Sequence, residues 1–163
     1  MGSSEGPSAL AGRLLADSGL TLAVAESCTG GMLGMTLTAE PGASQWFIGG
    51  VIAYSDSIKT LLLGVDPGTI ADSGAVSRET VMQMASGVRS LTGADISIAV
   101  TGIAGPAGGT PDKPAGTVWM AICHDAGCRA WRGFFSGGRD MVRRGATDSL
   151  LENLVEFLSK ELS

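Results

Sequence analysis

Ser27 is the position where this sequence offers a nucleophile. It lies in Ala25-Glu26-Ser27-Cys28-Thr29-Gly30-Gly31, between an apolar run that suits a strand and a glycine pair that opens a helical pattern. Backbone N–H groups at such a helix start can hold an oxyanion or a phosphate. Cys28, Thr29, Gly30 and Gly31 are therefore read with Ser27 as substrate-facing positions. The same residue types equally suit a plain N-cap by Ser27 or Thr29. A serine nucleophile needs a base. The only histidine, His124, sits beside Asp125 and Gly127 in a predicted hairpin turn. Lysine can replace histidine where burial lowers its pKa toward neutrality, and the candidates are Lys59, Lys113 and Lys160. Lys160 suits the dipole at a helix end, and Lys113 falls in a Gly/Pro-rich loop. Lys59, shortly after the only tyrosine, Tyr54, is the best of the three. A solvated place on a helix face is its alternative.

A second group could bind phosphate. Thr101-Gly102-Ile103-Ala104-Gly105-Pro106 follows an apolar run and is too rich in Gly and Pro for a regular element. Its N–H groups, from Gly102 to Gly105, are candidates alongside those of Gly30 and Gly31. Arg139, Arg143 and Arg144 open the last predicted helix, where positive charge opposes the dipole unless an anion is present. Pairing with Asp140 at the surface is the alternative. The familiar nucleotide and hydrolase signatures are absent: 102–113 does not fit GxxxxGK[ST], no GxGxxG follows the first strand, and Ser27 is in no GxSxG elbow.

The elements that must hold these residues alternate. Ser8 is expected to cap a first helix ended by Gly19 in a left-handed conformation. A strand is predicted over 21–25, then a helix from Gly30-Gly31 to Pro41. The run 46–54 reads as a strand with a bulge or close approach at Gly49-Gly50. Ser55 or Asp56 can cap a short helix ended by Gly64, and Ser77 caps a longer one. A strand at 95–100, a hairpin of 116–123 with 129–135, and a helix from about 139 complete the chain. The fold class expected is α/β, a three-layer α/β/α sandwich with a mixed sheet, with residues 1–7 as a flexible tail and 8–163 as a single domain.

Composition narrows the function. The chain has 163 residues, 44% hydrophobic, 17% charged, with 25 glycines and a net charge of −5. It has no long basic run, which argues against nucleic acid as a partner. No apolar stretch approaches the ~20 residues that span a bilayer, and the N-terminus lacks the basic and apolar regions of a signal peptide. Cys28, Cys123 and Cys128 are odd in number and lack the paired spacing of a zinc site. Reduced cysteines and a cytoplasmic location are expected.

Taken together, Ala25-Glu26-Ser27-Cys28-Thr29-Gly30-Gly31, Ala53-Tyr54-Ser55 with Lys59, Gly74-Ala75-Val76-Ser77 and Val100-Thr101-Gly102-Ile103-Ala104-Gly105-Pro106 resemble the CinA C-terminal domain family across about residues 20–158. The resemblance implies an activity. Stand-alone members are nicotinamide mononucleotide deamidases of pyridine nucleotide salvage, working without a metal or other cofactor. It further implies Ser27, Tyr54 and Lys59 as catalytic residues, Thr101 and the arginines around Arg143 as substrate-binding positions, and a homo-oligomer, expected as a dimer. Two positions depart from the family pattern: Ala107 and Gly138 stand where an Asp is often found. They motivate a rival reading, a non-catalytic nucleotide-binding or competence-linked module. Longer members carry an additional N-terminal domain resembling molybdopterin-binding folds. It has no counterpart in these residues, and the pyrophosphatase activity associated with it is not expected.

Overall fold

The computed structural model describes residues 5–162. Five strands form one mixed sheet: β1 (Leu22–Glu26), β2 (Phe47–Ile52), β3 (Ile96–Gly102), β4 (Thr117–His124) and β5 (Gly127–Phe134), in the order β2-β1-β3-β4-β5. β1 runs parallel to both β2 and β3, and the rest of the sheet is antiparallel. Every residue of β1 is buried, as expected of a central parallel strand covered on both faces.

Helices α1 (Pro7–Ser18), α2 (Met32–Thr38) and α6 (Arg139–Glu161) cover one face. Leu15, Leu33, Leu37, Leu150 and Leu154 are fully buried there, each contributing about 1.5–3 kcal/mol by leaving water. The other face carries α3 (Asp56–Leu63) and α5 (Arg78–Thr92), with α4 (Pro67–Ser73) packed on α5. The predicted three layers are therefore present. After β1 the chain crosses to the α2 face, and after β2 to the α3 face. The carboxyl ends of these two neighbours consequently form a topological switch point, where open α/β sheets place ligands.

Details differ from the expectation. The first helix begins at Pro7, inside the segment expected to be a tail, with Gly6 as N-cap and no side-chain cap. Proline tolerates this first position because its absent N–H would lack a partner anyway. Ser8 instead hydrogen-bonds Glu40. Residues 1–4 of the expected tail lie outside the described residues. The helix α4 was not expected; its signal was Asp66-Pro67, whose aspartate accepts from the Gly68 N–H. Cys123 and Cys128 are joined in a disulfide, against the expectation of three reduced cysteines. The two-residue turn makes them opposite partners in the β4–β5 ladder, with Cα atoms 4.1 Å apart. Cys28 remains free and buried. No helix among the described residues is long and apolar enough to cross a membrane.

Gly50 meets its expectation of close approach. A Cβ there would lie 2.3 Å from the Val24 carbonyl oxygen, and the β1–β2 register shifts between Leu22 and Ala23.

Candidate active site

β1 delivers Glu26 and then Ser27 to the switch point. The Ser27 N–H donates to the Val100 carbonyl at 3.1 Å, fixing the turn to the end of β3. The turn is shaped by Glu26, which is 2% exposed. Its carboxylate accepts from Thr29 Oγ1 at 2.6 Å and from the N–H groups of Gly31, Leu33 and Gly34 at 3.2, 2.9 and 3.0 Å. These are the donors that a helix start leaves without partners, so the chain supplies its own anion at α2. The Gly30 N–H is also occupied, donating to the Ser27 carbonyl. Gly30 and Gly31 therefore present no free N–H to a substrate, contrary to the sequence reading. Sequence reasoning gave Glu26 no role, although its place immediately before a helix start was the available signal.

β2 and α3 bring the lysine. Ser55 caps α3, accepting from the Ile58 N–H at 3.3 Å, and Gly64 ends the helix in a left-handed conformation. One turn apart, Lys59 and Leu63 both point into the core. Lys59 is 1% exposed. Its Nζ donates to Ser27 Oγ and to the Tyr54 carbonyl, each at 3.1 Å, and lies 3.8 Å from Asp56 Oδ1. Burial pushes the Lys59 pKa down, and the Asp56 charge opposes that shift. Burial also pushes the Cys28 thiol up to about 11. Cys28 therefore stays protonated at neutral pH, away from the thiolate that is its reactive form.

The other candidate bases are placed elsewhere. His124, paired with Asp125 at 3.2 Å and stacked edge-on against Phe157, is at the opposite end of the sheet from Ser27. Lys113 donates to the Ser73 carbonyl, and Lys160 pairs with Glu156.

A cleft of about 160 Å³ opens over these groups, lined by residues that include Ser27, Cys28, Tyr54, Asp56, Lys59 and Arg139. Ala75, Val76, Thr101 and Gly102 form another wall. Thr101 is 1% exposed and donates to the Ala75 carbonyl at 2.9 Å, so it shapes this wall. Gly102 packs so closely that a Cβ would lie 3.1 Å from Cys28 Sγ. A larger hollow of about 220 Å³ beside His124 and Phe157 has no serine or lysine in its lining.

The arginines divide. Arg139 is exposed at the cleft, donating to the Gly105 carbonyl at 2.9 Å and to the Tyr54 hydroxyl at 3.0 Å. Gly105 thus takes part through its carbonyl, behind the cleft lining. Arg143 does not line the cleft; its Nε and Nη2 donate to the Cys28 and Thr29 carbonyls at 3.1 and 2.9 Å. Arg144 pairs with Asp140 at 2.7 Å. Thr29, Gly30 and Gly31 likewise lie outside the lining.

The sequence model of the CinA C-terminal domain matches residues 5–158. The chain belongs to the CinA C-terminal domain family. CinA-like proteins of Thermotoga sp. (strain RQ2) and Geobacter metallireducens are 51% and 50% identical to it, over 90% and 80% of this chain. Those matches cover only 36% and 32% of the relatives, so this CinA-type chain spans about a third of the curated relatives' length. Among solved structures, the competence damage-inducible protein A of Klebsiella pneumoniae superposes with a TM-score of 0.91 at 40% identity, covering 94% of this chain and 95% of that one. A CinA superfamily protein from Enterobacter cloacae does so with a TM-score of 0.90 at 38% identity, covering 97% and 95%. The mixed five-stranded sheet with helices on both faces is thus the CinA fold.

Proposed function

We propose that this chain hydrolyses the carboxamide of nicotinamide mononucleotide, giving nicotinic acid mononucleotide and ammonia in pyridine nucleotide salvage in the cytoplasm. The observation that carries the chemistry is a lysine 1% exposed with its Nζ 3.1 Å from Ser27 Oγ at the floor of a cleft. The choice of substrate rests on the family resemblance.

With its amine neutral, Lys59 accepts the Ser27 proton while Oγ attacks the carboxamide carbon. The carbonyl π pair moves to oxygen, and the backbone N–H of Cys28, which directly follows the nucleophile and lines the cleft, stabilises that oxyanion. A donor of this kind is worth on the order of 3–4 kcal/mol in a known hydrolase. The oxyanion collapses, the C–N bond breaks, and the Lys59 ammonium gives its proton to the departing nitrogen, which leaves as ammonia. Water then attacks the acyl ester, passes a proton to Lys59, and Ser27 recovers it as the acid is released. Tyr54 holds Lys59 through its carbonyl, while its hydroxyl is engaged by Arg139. Arg139, exposed at the cleft, is the arginine available to the phosphate. The active form is a homodimer, to be read by light scattering.

The test is ammonia release from nicotinamide mononucleotide, compared with nicotinamide, NAD and nicotinamide riboside. The nucleotide alone should turn over well. Ser27→Ala and Lys59→Ala should each lower kcat by about 10³-fold or more, and the double variant should be little worse, because residues acting as a unit are non-additive. Inertness toward all four compounds, or near-normal turnover by folded Ser27→Ala, would remove the reading. Nucleotide binding in calorimetry without turnover would favour the non-catalytic module.

A further inference from the structure

The pair Ser27 and Lys59 has a third neighbour that neither the family motifs nor the functional reading employs. Asp56 occupies the first turn of α3, three residues before Lys59, and its Oδ1 lies 3.8 Å from Nζ. It is also part of the cleft lining, with its side chain 60% exposed, whereas the lysine side chain is 2% exposed. The other groups around the amine are uncharged. They are the Ser27 hydroxyl, the Tyr54 carbonyl and the Cys28 thiol, which burial keeps protonated at neutral pH. Arg139 lines the same cleft, donating to the Tyr54 hydroxyl and the Gly105 carbonyl, and as a cation it cannot serve as counter-ion to an ammonium. Glu26 is committed to the start of α2. Among the described residues, Asp56 is therefore the one carboxylate in salt-bridge contact with the amine.

A buried amine asked to take a proton faces two opposed needs. Burial makes it neutral and able to accept, but the same burial disfavours the ammonium that forms when it does. A carboxylate at ion-pair distance stabilises that ammonium, as the buried aspartate of a serine–histidine–aspartate triad stabilises the imidazolium. We propose that Asp56 is a positioning residue acting through Lys59: its carboxylate is the counter-ion for the ammonium formed as Ser27 loses its proton, and it sets the pH at which Lys59 becomes a base. The catalytic half of this inference rests on the amidohydrolase reading; the electrostatic half does not. Exposure at the cleft wall matters to it. A substrate filling the cleft would displace water from Asp56 and strengthen the attraction at the moment of proton transfer.

The test separates the two halves. The chain contains only three lysines, so ¹³C-labelled lysine gives a simple NMR spectrum in which Lys59→Met assigns the Lys59 signal. In Asp56→Asn the Lys59 titration should move to lower pH by about one unit, the scale of a partly solvated ion pair at this distance. Asp56→Glu should move it back toward the original value. With nicotinamide mononucleotide, the acid limb of kcat/KM should shift the same way in Asp56→Asn, and the high-pH plateau of kcat should fall about tenfold. An unchanged Lys59 titration in folded Asp56→Asn overturns the proposal whatever the activity, as does a loss of activity at every pH with the limb unmoved. A shifted titration in a protein without amidase activity would keep the electrostatic assignment and remove the functional reading instead.

Discussion

The chemistry proposed for this chain depends on holding one amine out of water. In Lys59 the cost of burial appears as a lowered pKa, with desolvation as its main cause. The unfolded chain, in which lysine titrates at about 10.4, therefore binds more protons than the folded one between the lowered value and that pH. Stability should rise with pH across this window and level off above it, since the slope follows the excess of protons on the unfolded state. Chemical denaturation at stepped pH values from neutral to about 10 should show the rise in the parent and its loss in Lys59→Met, which keeps much of the apolar stem but cannot titrate. Identical pH slopes in the two proteins would mean that the amine is solvated. Glu26 is held in a different way: this buried side chain accepts from the Thr29 hydroxyl and three backbone N–H groups, so fixed donors rather than an ion pair satisfy it.

At the scale of elements, α3 sets where Lys59 goes, and its position is fixed by α5. Gly87 of α5 lies against the end of α3: a Cβ there would stand 1.8 Å from the Leu63 carbonyl oxygen. Backbone cannot yield as a side-chain tip can. Gly87→Ala should therefore push the helices apart at a cost of about 1–3 kcal/mol and lower kcat by carrying Lys59 away from Ser27. Thermal unfolding and steady-state kinetics would measure both effects, and an unchanged melting temperature would show that the contact relaxes freely. The caps of α3 and α5 were legible because Ser55 and Ser77 stand just before apolar helical patterns and each accepts an N–H three residues on. The α4 helix was missed for a physical reason. Its seven residues include Gly68 and bury no side chain, so no apolar periodicity marks it and only the Asp66-Pro67 start remains.

Over the whole molecule, the last helix reaches back to the first strand's turn. Arg143 joins them by donating to the carbonyls of Cys28 and Thr29, more than a hundred residues earlier in the chain. In this position Arg143 holds the turn that carries Ser27. Arg143→Ala should accordingly lower kcat about tenfold while changing KM for the nucleotide less than threefold, because the loss falls on the placement of Ser27. A rise in KM alone, with the preference over the riboside abolished, would return Arg143 to phosphate binding. Arg139, by contrast, links the Gly105 carbonyl and the Tyr54 hydroxyl across the cleft.

By itself the sequence determined the order of the strands and of every helix but α4, the strand–turn–helix that carries Ser27, the glycine stops at Gly19 and Gly64, and the mixed α/β class. Each of these follows from neighbours within a few residues, through capping, apolar periodicity and the left-handed freedom of glycine. Only the tertiary structure decided that Lys59 faces Ser27, since they are 32 residues apart and spacing left a core place and a solvated face equally open. It also decided that Gly30, Gly31 and Arg143 are engaged within the protein, that His124 lies at the far end of the sheet, and that Cys123 meets Cys128. Those outcomes depend on which strands become neighbours and which donors are already satisfied. Donors and acceptors are paired across the fold, and local propensity does not contain that pairing.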